Sequence, residues 1–223
     1  VCAPSRCVLM TGLHTGHCTR RDNRLPGATP PLVPLRAEDR TVASAFKEAG
    51  YATGCIGKWG LGNEDTTGVP WLHGFDFFYG YLDQVHAHDY YTDYLWRNGQ
   101  REEIEENKEK NRKVYSHDLF VKETFDFIRL HRKEPFFLYL AYTIPHGKFE
   151  VPSDEPYSNE PWTQKEKNYA AMITRLDADF GRLMALLQEL GLDENTIVFF
   201  TSDNGPNQPW IRKFDSAAGF DAP

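Results

Sequence analysis

The stretch P-F-F-L-Y-L-A-Y-T-I-P-H (135–146) begins with an unbroken apolar and aromatic run and ends in a proline and a histidine. Residues 135–142 fit a strand buried on both faces, the kind found in parallel sheets. The run T-I-V-F-F-T (196–201) has the same character and leads directly into S-D-N-G-P (202–206). A third, shorter strand is predicted from Tyr51 to Ile56, before the glycine-rich turn G-K-W-G-L-G (57–62).

Helices are predicted between these strands. They cover 4–12, 41–49 with Gly50 as the C-terminal cap, about 117–132 with Ser116 as N-cap, and 163–190, which begins at a capping box and stops at Gly191. Alternation of helices with buried strands favours an α/β fold with a mainly parallel sheet flanked by helices. The aromatic segment 74–96 is predicted to be irregular and to pack over a site, and the charged run 101–113 to be a solvated hairpin or helix.

Composition limits the possible functions. The 223 residues carry a formal charge of -7, which argues against a general nucleic-acid role. No run is long and apolar enough to span a membrane. The four cysteines are too sparse for a disulfide scaffold. An acidic chain can still hold an anionic ligand in a local cationic pocket.

Several polar residues follow the predicted strands directly, at the edge where parallel sheets collect their chemistry. Asp203 and Asn204 suit a hard cation such as Ca²⁺ or Mg²⁺, although Asp-Asn-Gly is also common turn chemistry. His146 fits a general acid or a donor to an anionic oxygen, or a hydrogen-bonded loop histidine. Lys58 fits an anion clamp or an exposed lysine. Taken one by one, these residues favour the ordinary structural explanation.

The opening of the chain changes that assessment. C-A-P-S-R (2–6), followed by Leu9 and Thr11-Gly12, closely resembles the signature of the type I, formylglycine-dependent sulfatases. Further motifs similar to that family follow in the same order: G-Y-A-T-G-C-I-G-K-W-G-L-G (50–62), H-G-F-D-F-F-Y-G-Y-L (73–82), P-F-F-L-Y-L-A-Y-T-I-P-H (135–146) and T-I-V-F-F-T-S-D-N-G-P (196–206). The resemblance covers almost the whole chain, so residues 1–223 are expected to form one partial, arylsulfatase-like catalytic domain.

The resemblance implies an alkaline-phosphatase-like α/β fold and hydrolysis of sulfate esters. It implies that a formylglycine-generating maturation enzyme oxidises Cys2 to formylglycine, whose hydrate is the nucleophile. It implies that Ca²⁺, or Mg²⁺, binds Asp203, Asn204 and position 2. Arg6 would hold the formylglycine region, Lys58 would contact the sulfate or the nucleophile, and His146 would contact the sulfate and protonate the leaving alcohol.

The sequence also departs from the family. Many members carry histidine two residues after the motif lysine, where this chain has Gly60. His88, in H-A-H-D-Y-Y, is our candidate for the missing substrate contact. The family supplies two more metal-binding aspartates before the position of Val1 and a second sulfate-binding lysine beyond Pro223. The 223-residue chain is therefore expected to be a fragment that binds metal poorly and does not turn over.

Two other functions stay open. One is a phosphatase or phosphodiesterase of the same superfamily, against which the cysteine of C-x-P-S-R argues. The other is a catalytically silent carbohydrate-binding homologue, which Gly60 leaves open. The preferred substrate is a sulfated carbohydrate or an aryl sulfate, because aromatic residues in 71–96 could stack on sugar or aryl rings, although core packing explains many of them equally well. The resemblance also implies a periplasmic or secreted protein.

Overall fold

A five-stranded sheet forms the centre of the computed structural model, which describes residues 2–23 and 33–205. The strands are β1 (Ala52–Lys58), β2 (Phe77–Tyr81), β3 (Tyr94–Arg97), β4 (Gln100–Glu103) and β5 (Phe136–Ala141). Their order across the sheet is β4-β3-β2-β1-β5. β1 lies between β2 and β5, so its last residue, Lys58, ends at the carboxyl edge of the parallel part of the sheet.

The sheet is mixed, which corrects the prediction of a mainly parallel one. β1 pairs in parallel with β2 and with β5, whereas β2–β3 and β3–β4 are antiparallel. The β3–β4 hairpin turns at Asn98 and Gly99, both at positive φ (48° and 84°), as a tight two-residue hairpin turn requires. Segment 74–96 is accordingly not irregular, since it contains β2 and most of β3. The charged run 101–113 contains the end of that hairpin and a 3₁₀ segment, Glu105–Lys110.

Helices cover both faces of the sheet. They are α1 (Cys2–Thr11), α2 (Val42–Glu48), α3 (Ser116–His131) and α4 (Gln164–Glu189). Residues of α1 and α2 pack with Cys55 on one face, and residues of α3 pack with Ile56 on the other. α4 lies on the same face as α3 and packs against both α3 and β5. Consecutive residues of a strand point to opposite faces, so β1 separates two cores, and this is why every residue of β1 after Ala52 is buried.

The helix boundaries follow the sequence signals closely. The Thr163 side chain accepts a hydrogen bond from the backbone of Glu166, whose own side chain accepts from Thr163, so the capping box is confirmed. Gly50 and Gly191 have positive φ (84° and 67°) after α2 and α4. The N-cap predicted at Ser116 was wrong by one residue, because Tyr115 occupies that position and makes no side-chain cap.

Segment 196–201 is not a strand, contrary to the prediction. Thr196 has extended backbone angles, but within the described residues the segment pairs with no strand, and β5 pairs only with β1. Ile197 is 81% exposed and Phe199 88% exposed. An apolar run predicts burial, whereas strand formation also needs a partner strand to satisfy backbone hydrogen bonds, and segment 196–201 pairs with none of the described strands. Over the same residues, no helix is long and apolar enough to cross a membrane.

Candidate active site

Residues far apart in the sequence meet at the carboxyl edge of the sheet. Cys2 is the first residue of α1, Lys58 is the last residue of β1, and His146 follows β5 by a short loop. Asp203 and Asn204 lie beyond segment 196–201. The structure brings these residues together, and for Lys58 and His146 this is expected, because they follow the neighbouring parallel strands β1 and β5.

Cys2 lies at the centre of the site and is only 8% exposed. Its Sγ donates to Oδ1 of Asn204 at 3.5 Å. A hydrogen bond with His146 lowers the pKa of the Cys2 thiol to about 7, and the charge of Lys58 acts in the same direction, while burial and Asp203 oppose both. The surroundings of position 2 therefore stabilise negative charge on the atom that would react.

Arg6 ties three parts of the site together from the next turn of α1. Its Nε and Nη2 donate to Oδ2 of Asp203, at 3.0 and 2.8 Å. Its Nη1 donates to the carbonyl of Lys58 at 2.6 Å and reaches the Tyr139 hydroxyl at 3.4 Å. Because Arg6 is 6% exposed, these charge-assisted bonds form largely out of water and fix the relative positions of α1, β1 and β5.

Lys58 is a buried cation whose charge is not neutralised within the described residues. It is 3% exposed, and no carboxylate in ranges 2–23 and 33–205 forms an ion pair with it. Burial lowers the pKa of Lys58 to about 8, although Cys2 and Asp203 act to raise it. A lysine in this state favours any anion that enters the site, because binding restores the charge balance that burial disturbs.

His88 lies against His146. Their rings stack at 4.3 Å between centroids and 11° between planes. His88 belongs to a short 3₁₀ helix, and Oδ1 of Asp83 accepts from the backbone N–H groups of Val85 and His86 at its start (2.7 and 2.9 Å). Burial lowers the pKa of His88 to about 4, and the positive fields of His146, Lys58 and Lys148 act in the same direction.

Gly60 cannot be replaced by histidine without a local change of structure. It has φ +75°, and a Cβ built on it would lie 2.3 Å from Nε2 of Gln84. Gln84 is itself buried and donates to the carbonyl of Gly60 at 3.1 Å. The residue that departs from the family pattern thus has its own structural role, and His88 approaches the site from another loop.

The donors available for a cation are few. Asp203 is engaged by Arg6, and Asn204 directs its amide oxygen at Cys2. In the described part of the chain, no group of three or more histidine, cysteine or acidic side chains is arranged to hold a metal. An Asp and an Asn side chain provide the hard oxygen ligands that Ca²⁺ or Mg²⁺ prefers, so the donor chemistry fits, although these two residues supply only part of a coordination shell.

Several residues that shape the site carry no recognisable sequence signal. Oδ1 of Asn23 accepts from the N–H of Ala3 at 2.7 Å and so caps the helix that begins at Cys2. Tyr139 reaches Arg6, and Gln84 fixes Gly60. Asn23 lies 20 positions from its partner, so only the folded structure reveals the contact. Asp83 is the exception, because an Asx turn before a short helix is readable from sequence.

Together, the fold and the site define a class of protein: an α/β protein in which a cysteine of lowered pKa, a histidine and two buried cations meet at the carboxyl edge of the sheet. The Sulfatase family model matches residues 1–216, and the chain belongs to that family. The identity is therefore settled at the level of the family.

Among curated relatives, an arylsulfatase from Hemicentrotus pulcherrimus is 32% identical over 99% of this chain and 41% of its own length. An N-acetylgalactosamine-6-sulfatase from Canis lupus familiaris is 30% identical over 93% of this chain and 43% of its own length. A solved structure of Ps i-CgsB in complex with k-i-k-neocarrahexaose matches with TM-score 0.75 and 27% identity, over 93% of this chain and 49% of that one. The expected sulfatase fold is confirmed, and the chain spans less than half the length of these relatives.

Proposed function

We propose that the full-length protein carrying this chain hydrolyses sulfate esters, with position 2 as the nucleophile after oxidation of Cys2 to formylglycine. The observation that carries the proposal is the surroundings of Cys2, whose Sγ contacts Asn204 while His146 and Lys58 stabilise its negative charge. Membership of the sulfatase family supports the same chemistry. The proposed substrates are sulfated carbohydrates or aryl sulfates.

Each basic residue has a distinct task in this reaction. Lys58 is buried beside position 2, so its ammonium can balance the charge that develops on the sulfuryl oxygens without competition from water. Arg6 fixes the relative positions of residue 2, Lys58 and Asp203 through its four donor contacts. His146 is exposed at the mouth of the site, where it can contact the sulfate and donate a proton to the leaving alcohol.

His88 is proposed as a further substrate contact that takes the place of the histidine absent at Gly60. Its pKa near 4 keeps its ring neutral around pH 7, so it can donate one N–H without adding charge. Replacement by alanine also removes the ring stacked on His146. His88→Ala should therefore lower turnover in the full-length protein, and unchanged turnover would exclude this role.

Asp203, Asn204 and the modified residue 2 are the proposed ligands of a divalent cation, Ca²⁺ or alternatively Mg²⁺. Such a cation would supply positive charge beside the nucleophile and the sulfuryl oxygens. Oδ1 of Asn204 accepts from Sγ of Cys2, and the charge of Asp203 acts on the same thiol, which supports this assignment. Arg6 would hold the Asp203 carboxylate in place through its two donor contacts to Oδ2.

The maturation enzyme and the compartment complete the proposal. The C-A-P-S-R segment (2–6) is proposed as the recognition site of a formylglycine-generating enzyme. Cys2 and Arg6 are both buried in the folded chain, so conversion would have to precede folding. The full-length protein is proposed to be exported to the periplasm or secreted, as the family resemblance implies.

The test compares two ester classes under the same conditions. The full-length protein is produced with a formylglycine-generating enzyme, and residue 2 is checked by mass spectrometry. Hydrolysis of 4-nitrophenyl sulfate and 4-nitrophenyl phosphate is then measured with Ca²⁺ present, for the wild type and for Cys2→Ala. We expect the sulfate to be strongly preferred and its hydrolysis to be lost in the variant.

The other outcomes each favour a different function. Preference for the phosphate would reject the sulfatase proposal in favour of a phosphatase. An unmodified Cys2 in protein from the native host, together with no turnover of either ester, would reject it in favour of a binding protein. Sulfated oligosaccharides serve as a second substrate set, because a modified enzyme with a narrow pocket can ignore small aryl esters.

A further inference from the structure

The loop that follows β5 has an unusual backbone. Lys148 and Phe149 are consecutive non-glycine residues at positive φ, 72° and 46°. Residues other than glycine rarely adopt this left-handed region, and each costs on the order of 1 kcal/mol or more unless the surrounding structure holds it. Such strain concentrates where a side chain must be presented in one place.

Hydrogen bonds fix this loop on both sides of Lys148. The hydroxyl of Tyr90 donates to the carbonyl of His146 at 3.0 Å, two residues before it. Nδ2 of Asn168, from α4, donates to the carbonyl of Phe149 at 2.7 Å, one residue after it. The backbone of Lys148 is therefore held in place, although its side chain is exposed.

Lys148 stands at the mouth of the site already described. It follows His146 by two residues, and the His146 ring stacks on that of His88 at 4.3 Å, so the three residues lie on one side of the molecule. No carboxylate of the described residues pairs with Lys148, even though the whole chain is acidic at -7. Lys58 is the buried cation beside the nucleophile, and Lys148 is a second, outer cation that the ester chemistry does not use.

We propose that Lys148 binds a second anionic group of the substrate, a carboxylate or another sulfate on the sugar that bears the scissile ester. This inference rests on the proposed function and narrows its substrate class to polyanionic carbohydrates. An exposed, backbone-fixed ammonium suits this role, because it selects charge without demanding one precise group geometry.

The test uses the formylglycine-containing full-length protein and variants matched for backbone and charge. Lys148→Asn removes the charge with a residue that tolerates positive φ, and Lys148→Arg keeps the charge. Lys133→Asn is the control, since Lys133 is exposed in the turn before β5, at the opposite end of that strand from His146. The probes are a hexose monosulfate, the corresponding hexose disulfate and a monosulfated uronic acid.

We expect Lys148→Asn to raise KM about five-fold for the disulfate or the sulfated uronic acid, with kcat little changed, as for a solvent-exposed ion pair. KM for the monosulfate should not change, Lys148→Arg should retain wild-type values, and the difference should shrink at high salt. A rise in KM confined to the disulfate would identify the second group as a sulfate, and a rise confined to the sulfated uronic acid would identify it as a carboxylate.

Equal effects of Lys148→Asn on all probes, or none on any, would overturn the inference. Failure of the wild type to hydrolyse any of these probes, 4-nitrophenyl sulfate or the sulfated oligosaccharides would instead reject the sulfatase proposal. Calorimetric binding of the hexose disulfate and of the sulfated uronic acid to the wild type and Lys148→Asn separates the two cases, because it needs no turnover. Equal affinities in that measurement would also overturn the role of Lys148.

Discussion

Gly60 offers a direct test of why this chain lacks the usual histidine after its motif lysine. Its φ of +75° lies in the left-handed region, and an added Cβ would meet Nε2 and Cδ of Gln84 at 2.3 and 3.0 Å. The backbone of Gly60 is also fixed, because its N–H donates to the carbonyl of Leu82 at 3.0 Å. Gly60→Ala should therefore destabilise the protein through two separable effects.

The expected magnitude follows from these contacts. Placing alanine at positive φ costs about 1–2 kcal/mol. Gln84 can move away only by giving up its 3.1 Å hydrogen bond to the Gly60 carbonyl, which costs about 1 kcal/mol more. Gly60→Ala should thus lower the free energy of unfolding by about 2–3 kcal/mol in the wild type, but by only about 1–2 kcal/mol in a Gln84→Ala background.

Urea unfolding of the full-length protein, followed by tryptophan fluorescence, measures this difference, since the adjacent Trp59 is fully buried. The four members of the cycle give a coupling energy of about 1 kcal/mol if the reasoning holds, which exceeds the usual error of additivity. A Gly60→Ala variant as stable as the wild type would refute the strain argument. Equal losses in both backgrounds would refute the role of Gln84. Gly60→His should not increase sulfatase activity, because the backbone there does not suit a side chain.

Three further predictions concern the site and the core. Arg6→Lys should lower kcat at least about ten-fold, because one ammonium cannot replace the two guanidinium donors that bind Asp203. Formylglycine content of the variant is checked first by mass spectrometry. Normal turnover with normal modification would contradict this prediction. Burial raises the pKa of Asp179, but its hydrogen bonds with buried His117 (2.8 Å) and with Arg182 together outweigh burial and leave that pKa below its ordinary value. The ionised Asp179 carboxylate thus stabilises the fold near pH 7, and this stabilisation is lost below about pH 4, as the carboxyl is protonated in the folded protein. Asp179→Asn should lower the free energy of unfolding by about 2 kcal/mol at pH 7 and should flatten its dependence on acid pH. An unchanged acid profile would refute this prediction. The 223-residue chain, once shown by circular dichroism to fold, should bind Ca²⁺ more weakly than the full-length protein in calorimetry, because Asp203 and Asn204 alone cannot provide the roughly six to eight oxygens that Ca²⁺ takes; equal affinities would show this prediction to be wrong.

Local signals in the sequence predicted local structure well. The capping box at Thr163, the glycines after α2 and α4, and the apolar run of β5 each depend on a few neighbouring residues. The mixed character of the sheet was missed, because the Asn98-Gly99 turn signal was not used to pair β3 with β4. Segment 196–201 was misassigned for a different reason: apolarity predicts burial, but a strand also depends on a partner elsewhere in the fold.

The same limit applies to the site: the sequence indicates which residue types are present, but not which residues contact one another. The motifs predicted which residue types carry the chemistry, and the order of the strands predicted that Lys58 and His146 would end at one edge. They did not predict that Arg6 binds Asp203 across 197 positions, or that His88 stacks on His146. A charged residue in a motif specifies a role only when its partner is known. Arg6 has a carboxylate partner and organises the site, whereas Lys58 and Lys148 have none among the described residues and are therefore the cations we propose for substrate binding.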